Sequence, residues 1–242
     1  TFEDVLAGNY WTFPEETALI SNYSKVFENG KMGRFFLNSL IITLPTVFGT
    51  LFLSSLAGYS LAMHRFKLNL LVFAMFIAGN FVPFQILMIP VRNISIEMGM
   101  YNTHLGLIIF HIAFQTGFCT FFLRNFIKEL PFELIEAARA DGATEWTIYR
   151  KIILPLVIPA LAALGVLEFT FIWNDYFWAL VLTQGDAVKP ITVGLDVLRG
   201  QWTTSWNLVS AGSVVAALPP VIMFFILQRQ FIQGLTFGAV KG

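Results

Sequence analysis

Residues 136–155 read EAARADGATEWTIYRKIILP. Charges of both signs are interspersed, a glycine sits near the middle, and apolar runs long enough to cross a bilayer lie on either side. Pro131 suits the first turn of a helix, where its missing donor would be unsatisfied anyway. Glu133, Glu136, Ala137 and Ala140 then recur at helical spacing and share a face. Gly142 ends that helix, because a left-handed closing residue is cheap only without a side chain. Thr144 is placed to cap a second helix, whose Trp146, Tyr149 and Ile153 are predicted to share one side at the lipid headgroup level. Leu154-Pro155 leads onward. The first helix is shorter than the ~12–15 residues that hold shape alone in water, so it leans on something. Its alanines make it a poor membrane anchor, since bilayer binding scales with buried apolar area. Two supports stay open: a groove on another protein, or the chain's own bundle.

Outside this segment the chain is apolar. It has 242 residues, 56% hydrophobic and only 12% charged, with a mean hydropathy of +0.69. A soluble domain carries roughly 25% charged residues, so lipid covers much of this surface. A net charge of zero argues against nucleic acid, whose phosphates need a basic excess. Five stretches reach the ~20 residues a membrane helix needs: 35–63, 68–90, 105–123, 154–182 and 208–227. Short alternating segments, the mark of membrane strands, do not occur. The predicted fold class is an all-α membrane protein, a polytopic transmembrane helix bundle with a helix-turn-helix loop over 124–153. Pro83, Pro159 and Pro219-Pro220 fall inside spans, where neighbours can satisfy the freed carbonyls. Placing the link after Met63 in the cytoplasm puts nine Lys and Arg on that side against six on the other, the expected bias. Residues 1–34 and the loop 183–207 are then external, while 124–153 and the tail 228–242 are cytoplasmic.

Glu136-Ala137-Ala138, three residues, Gly142, nine residues, Ile152, one residue and Leu154-Pro155 together resemble the EAA loop of bacterial ABC importer permeases. NYSKVF, FFLNSL, LAGYSLAMHRF, WNDYF and the terminal GAVKG are similar to the sugar-importer branch, the family of the maltose permease subunit MalG, over essentially the whole chain. The resemblance implies an inner-membrane permease subunit whose first EAA helix docks on a separate ATPase. Glu136, Ala137, Ala138, Asp141 and Gly142 would form the docking element, and Ile152, Leu154 and Pro155 the joint to the fourth span. It further implies a second homologous permease, two ATP-binding cassette subunits holding ATP and Mg, an extracytoplasmic solute-binding protein and a sugar-like solute. Six spans are usual in that family against five here, so an N-terminal helix is expected beyond the chain as given. The tail, with Lys241 and Gly242, is a further expected contact to the ATPase.

The chain lacks a GxxxxGK[ST] phosphate loop, HExxH, GxSxG and paired-cysteine metal spacing, so catalysis by this chain alone is not expected. Polar residues inside spans are costly and mark pathways or helix contacts. Glu168 lies near the centre of the fourth span, and Asn174 and Asp175 toward its outer end. Trp173 and Trp178 are read as interfacial anchors, with stacking on a sugar ring as the other option. His111, Gln115 and Cys119 recur every four residues and form a polar stripe; one histidine, one amide and one thiol are not a metal ligand set. Asn80 and Gln85 flank Pro83. Asn80, Gln85, His111, Gln115, Glu168, Asn174 and Asp175 are thus the candidates for a substrate path. The competing function is a secondary transporter coupled to protons through Glu168 and Asp175.

Overall fold

The computed structural model describes residues 6–8, 18–199 and 205–236. Among them there is no strand. In order run α1 (Leu19–Glu28), α2 (Met32–Met63), α3 (Asn69–Ala78), continued by a 3-10 turn Gly79–Phe81, α4 (Phe84–Glu97) and α5 (His104–Lys128). There follow α6 (Glu133–Ala140), α7 (Glu145–Ile148), a π turn Tyr149–Ile153, α8 (Leu154–Trp173), α9 (Phe177–Leu182), α10 (Ile191–Gly194), a 3-10 turn Leu195–Arg199 and α11 (Trp206–Thr236). The all-α class holds.

Four of these helices are long and apolar enough to span: Met32–Met63, His104–Lys128, Glu145–Trp173 and Trp206–Gln228. The second predicted span is not a single kinked helix. It is two helices, Asn69–Phe81 and Phe84–Glu97, bent by 101°. The cause is local: Pro83 forces the residue before it out of the helical region, and Val82 is extended at φ −74°, ψ 121°. This bent pair must still cross the bundle, because α2 and α5 run parallel. His104 Nε2 lies 2.9 Å from Asn38 Oδ1 near the start of α2, while Arg124 Nε donates to Leu61 O near its end. The chain leaves α2 at one end and re-enters α5 at the other, so five crossings result.

Close approach explains why α2 and α5 pack so extensively. A side chain at Gly58 would sit 3.1 Å from the Arg124 backbone nitrogen, the small-residue contact that lets membrane helices touch. Arg124 is buried with its guanidinium 3.6 Å from the centroid of the Phe73 ring, which pins α3 to the same place.

The fourth span also ends sooner than expected. α8 stops at Trp173, and Asp175 restarts the chain by accepting from the backbone nitrogens of Trp178 and Ala179. The helix α11 continues past 227 to Thr236, into the stretch 228–242 expected to be the cytoplasmic tail. Lys241 and Gly242 lie outside the described residues. At the N-terminal end, Val26 and Met32 enter a core with Phe35, Trp173, Ile191 and Ala211. The segment before α2 therefore belongs in part to the folded bundle.

Candidate functional site

The helical pair opens on a helix with one buried face. Ile135 is 1% exposed and packs among Tyr59, Met63, Ile127, Ile148 and Tyr149. Of the two supports left open by sequence, the bundle therefore holds one face of α6. Glu133, Glu136, Ala137 and Ala140 on the other face are exposed, as are Asp141 and Gly142. Ala138 is turned partly toward the bundle, so only part of the expected docking set is open.

Gly142 closes α6 as its type predicted. It has φ +76°, Ala143 N donates to Ala138 O, and Gly142 N donates to Arg139 O, each at 3.0 Å. That is the two-bond closure that satisfies a helix's last carbonyls. Thr144 then caps α7 by accepting from Thr147 N. The predicted common face of the second helix holds only in part: the Trp146 and Tyr149 rings lie 5.4 Å apart, but the three side chains do not stand together at the surface. Trp146 is 56% exposed, whereas Tyr149 and Ile153 are buried. A π turn over Tyr149–Ile153 widens the helix and changes which side chains align, and Tyr149 OH turns inward to bond Ser55 Oγ at 2.7 Å. Ile152 and Leu154 pack beside this core, and Pro155 sits at the first turn of α8.

Glu145 ties the pair to the bundle. Tyr59 OH donates to its Oε2 at 2.6 Å, Arg139 Nε donates to its Oε1 at 2.8 Å, and His64 Nε2 lies 3.3 Å away. One carboxylate thereby links α2, α6 and α7. Sequence reading missed this hub. Its signal was present in the acidic first turn behind Thr144 and in Tyr59 and His64 of LAGYSLAMHRF, but nothing local joins them.

The predicted pathway residues do not converge. Two pairs form between α5 and the chain at and beyond α8. His111 Nε2 lies 3.5 Å from Asp175 Oδ2, and the buried Cys119 thiol donates to Glu168 Oε1 at 3.1 Å, leaving Oε2 unpartnered. Gln115 between them is partly buried. A cavity of only about 10 Å³ touches Ser39, Thr43, His111 and Asp175, roughly room for one water. Asn80, Gln85 and Asn174 are instead exposed. Trp173 and Trp178 are not interfacial anchors. Trp173 is 1% exposed, stacks on Phe169 and donates to Ala216 O; Trp178 is buried with its ring 4.0 Å from that of Phe110. Neither face is open to a sugar.

A second omission is the buried hydroxyl row of α2: Ser39, Thr43, Thr46, Thr50 and Ser54. Their spacing of three and four residues was the available signal. Ser54 Oγ donates across to Thr116 O, and Ser39 Oγ accepts from Ile191 N.

Residues 51–237 match the family described as "Binding-protein-dependent transport system inner membrane component". The chain is 36% identical over 233 residues to the melibiose/raffinose/stachyose import permease protein MelC of Bacillus subtilis, covering 96% of this chain and 84% of MelC. It is 36% identical over 225 residues to the lactose transport system permease protein LacG of Rhizobium radiobacter, covering 93% and 81%. The osmoprotective compounds uptake permease protein GgtD of Synechocystis is 36% identical over 244 residues, covering 98% and 82%. In fold the chain is similar to a bacterial ABC transporter involved in the import of the acidic polysaccharide alginate, at TM-score 0.75 and 24% identity, covering 87% and 79%. The MetNI methionine ABC transporter gives TM-score 0.68 at 21% identity, covering 84% and 95%.

Proposed function

The chain belongs to the family of binding-protein-dependent transport system inner membrane components, a transport component rather than an enzyme, and on that premise we propose that it is the permease subunit of an ATP-driven importer for a sugar, oligosaccharide or polyol. The solute class rests on the relatives named for melibiose, raffinose, stachyose and lactose. The observation that carries the mechanism is the two-sided α6: Ile135 pins one face to the bundle, while Glu136, Ala137 and Ala140 stand open on the other. In this reading the 133–153 end faces the bacterial cytoplasm. A cleft on an ATP-binding cassette subunit receives the open face, and ATP with Mg²⁺ stays on two such subunits. The Glu145 hub and the π turn then pass their motion to α2 and α8. A second homologous permease completes the path, and an extracytoplasmic binding protein delivers solute.

Asn80, Gln85 and Asn174 are exposed within or at the end of predicted spans, where lipid-facing amides are costly. They therefore face the solute path between the two permeases, and rocking of the halves opens it to each side in turn. The proton-coupled reading is not favoured by the relatives. The test is uptake by the assembled transporter in vesicles. Deleting 132–150, or Gly142→Pro, should abolish co-purification of the ATPase and reduce uptake to background. Uptake that survives and instead collapses with a proton uncoupler would establish the Glu168 and Asp175 alternative.

A further inference from the structure

At the end of the bundle that carries the helical pair, an apolar groove of about 440 Å³ opens between α2 and α8. Phe48 and Phe52 form one wall and Leu161 the other, with Trp146, Tyr149 and Arg150 at the same end as the helical pair. The groove is short. From Phe48 to Ser55 α2 rises about 10 Å, which falls within one leaflet of a hydrocarbon core ~30 Å thick. Leu51 lies within the groove, 3.5 Å from where a side chain at Gly165 would begin. A partner's membrane helix would need a groove running the full thickness, whereas one acyl chain fits a slot that ends mid-leaflet. Charge points the same way. Arg150 is exposed at the mouth and has no acidic partner among the described residues. Trp146 beside it is 56% exposed, at the level where amphipathic rings meet headgroups.

We propose that this groove binds an anionic phospholipid, its acyl chain between Phe48, Phe52 and Leu161 and its headgroup on Arg150. Basic pockets between membrane helices take such headgroups. The lipid borders the π turn that joins α7 to α8, so its occupancy bears on the coupling joint. Assignment to the cytoplasmic leaflet rests on the orientation proposed above; the site itself does not. The experiment uses the intact transporter with its ATPase, in vesicles of phosphatidylglycerol and phosphatidylcholine, with retained lipid read by native mass spectrometry. Wild type should retain phosphatidylglycerol in preference, Arg150→Gln should weaken that preference about fivefold, and Leu161→Trp should displace the lipid. Equal retention of both lipids, no retention, or full-yield cross-linking of a cysteine at position 48 to the partner permease would overturn the site. Each of these results with the ATPase still co-purifying counts against the lipid alone, while loss of co-purification in wild type counts against the importer reading.

Discussion

The turn at Gly142 offers a graded test of the proposed coupling joint. Its φ of +76° lies in the left-handed region, and a Cβ built there meets nothing within 4 Å. Substitution therefore meets no clash, and the cost of Gly142→Ala is the backbone term alone, about 1–2 kcal/mol. That reduces the closed turn about 5–30-fold relative to opened forms. Asn visits this region more readily than Ala, so Gly142→Asn should retain more function. Gly142→Val should fall below Ala because branching crowds the same conformation. Gly142→Pro fixes φ near −65° and also removes the donor to Arg139 O, roughly 0.5–1.5 kcal/mol more. The expected order is Gly, Asn, Ala, Val, Pro, read as solute-stimulated ATP hydrolysis and as ATPase co-purification. Thermal stability of the bundle should change little along the series, because the turn is exposed. An Ala variant equal to wild type, or Asn below Val, would refute the left-handed closure as the determinant.

At Gly117 the reverse holds: a Cβ would lie 2.5 Å from Phe76 O, so Gly117→Ala should destabilise the bundle by about 1–3 kcal/mol, visible as a lower Tm. Tyr59→Phe removes a 2.6 Å bond to the Glu145 carboxylate worth about 1.5–3 kcal/mol, whereas Arg139→Ala, at an exposed pair, should cost only ~0.2–1 kcal/mol; a double-mutant cycle on uptake should show the two variants coupled. In the 183–207 loop, the Lys31 ammonium, then Lys189, holds the Asp186 carboxyl below the usual carboxylate range. A depressed carboxyl stabilises above its unfolded value near ~3.9 and stops as pH falls through its lower folded value. The protection factor for amide exchange in this loop, taken against the intrinsic rate at each pH, should therefore stay flat from neutral pH to about 5 and fall only in stronger acid, and Lys31→Met should lower it already at neutral pH. Glu168→Gln keeps the shape that Cys119 meets, so ATP-driven uptake should persist; complete loss with the complex intact would revive the proton-coupled reading.

The features legible in the chain were those written in neighbouring residues. Apolar runs of sufficient length fix helices in lipid because every backbone group must be satisfied internally, and Gly142 and Thr144 mark their turn by backbone and capping chemistry alone. The open face of α6 followed from spacing for the same reason. The 101° bend was half legible: Pro83 was visible, but how far a proline turns a membrane helix depends on what packs beyond it. Trp173 and Trp178 read as anchors because an aromatic near a span end is amphipathic, and only the packing of Phe36, Phe169 and Phe110 around them shows them buried. Tyr59 and Glu145 lie 86 residues apart and Ser55 and Tyr149 lie 94 apart, so no local pattern joins them. Local chemistry determined which segments are helices, where the turn at Gly142 closes and which face of α6 stays open. Tertiary packing alone decided which polar groups meet, because such pairs form only once separate helices share a buried seam.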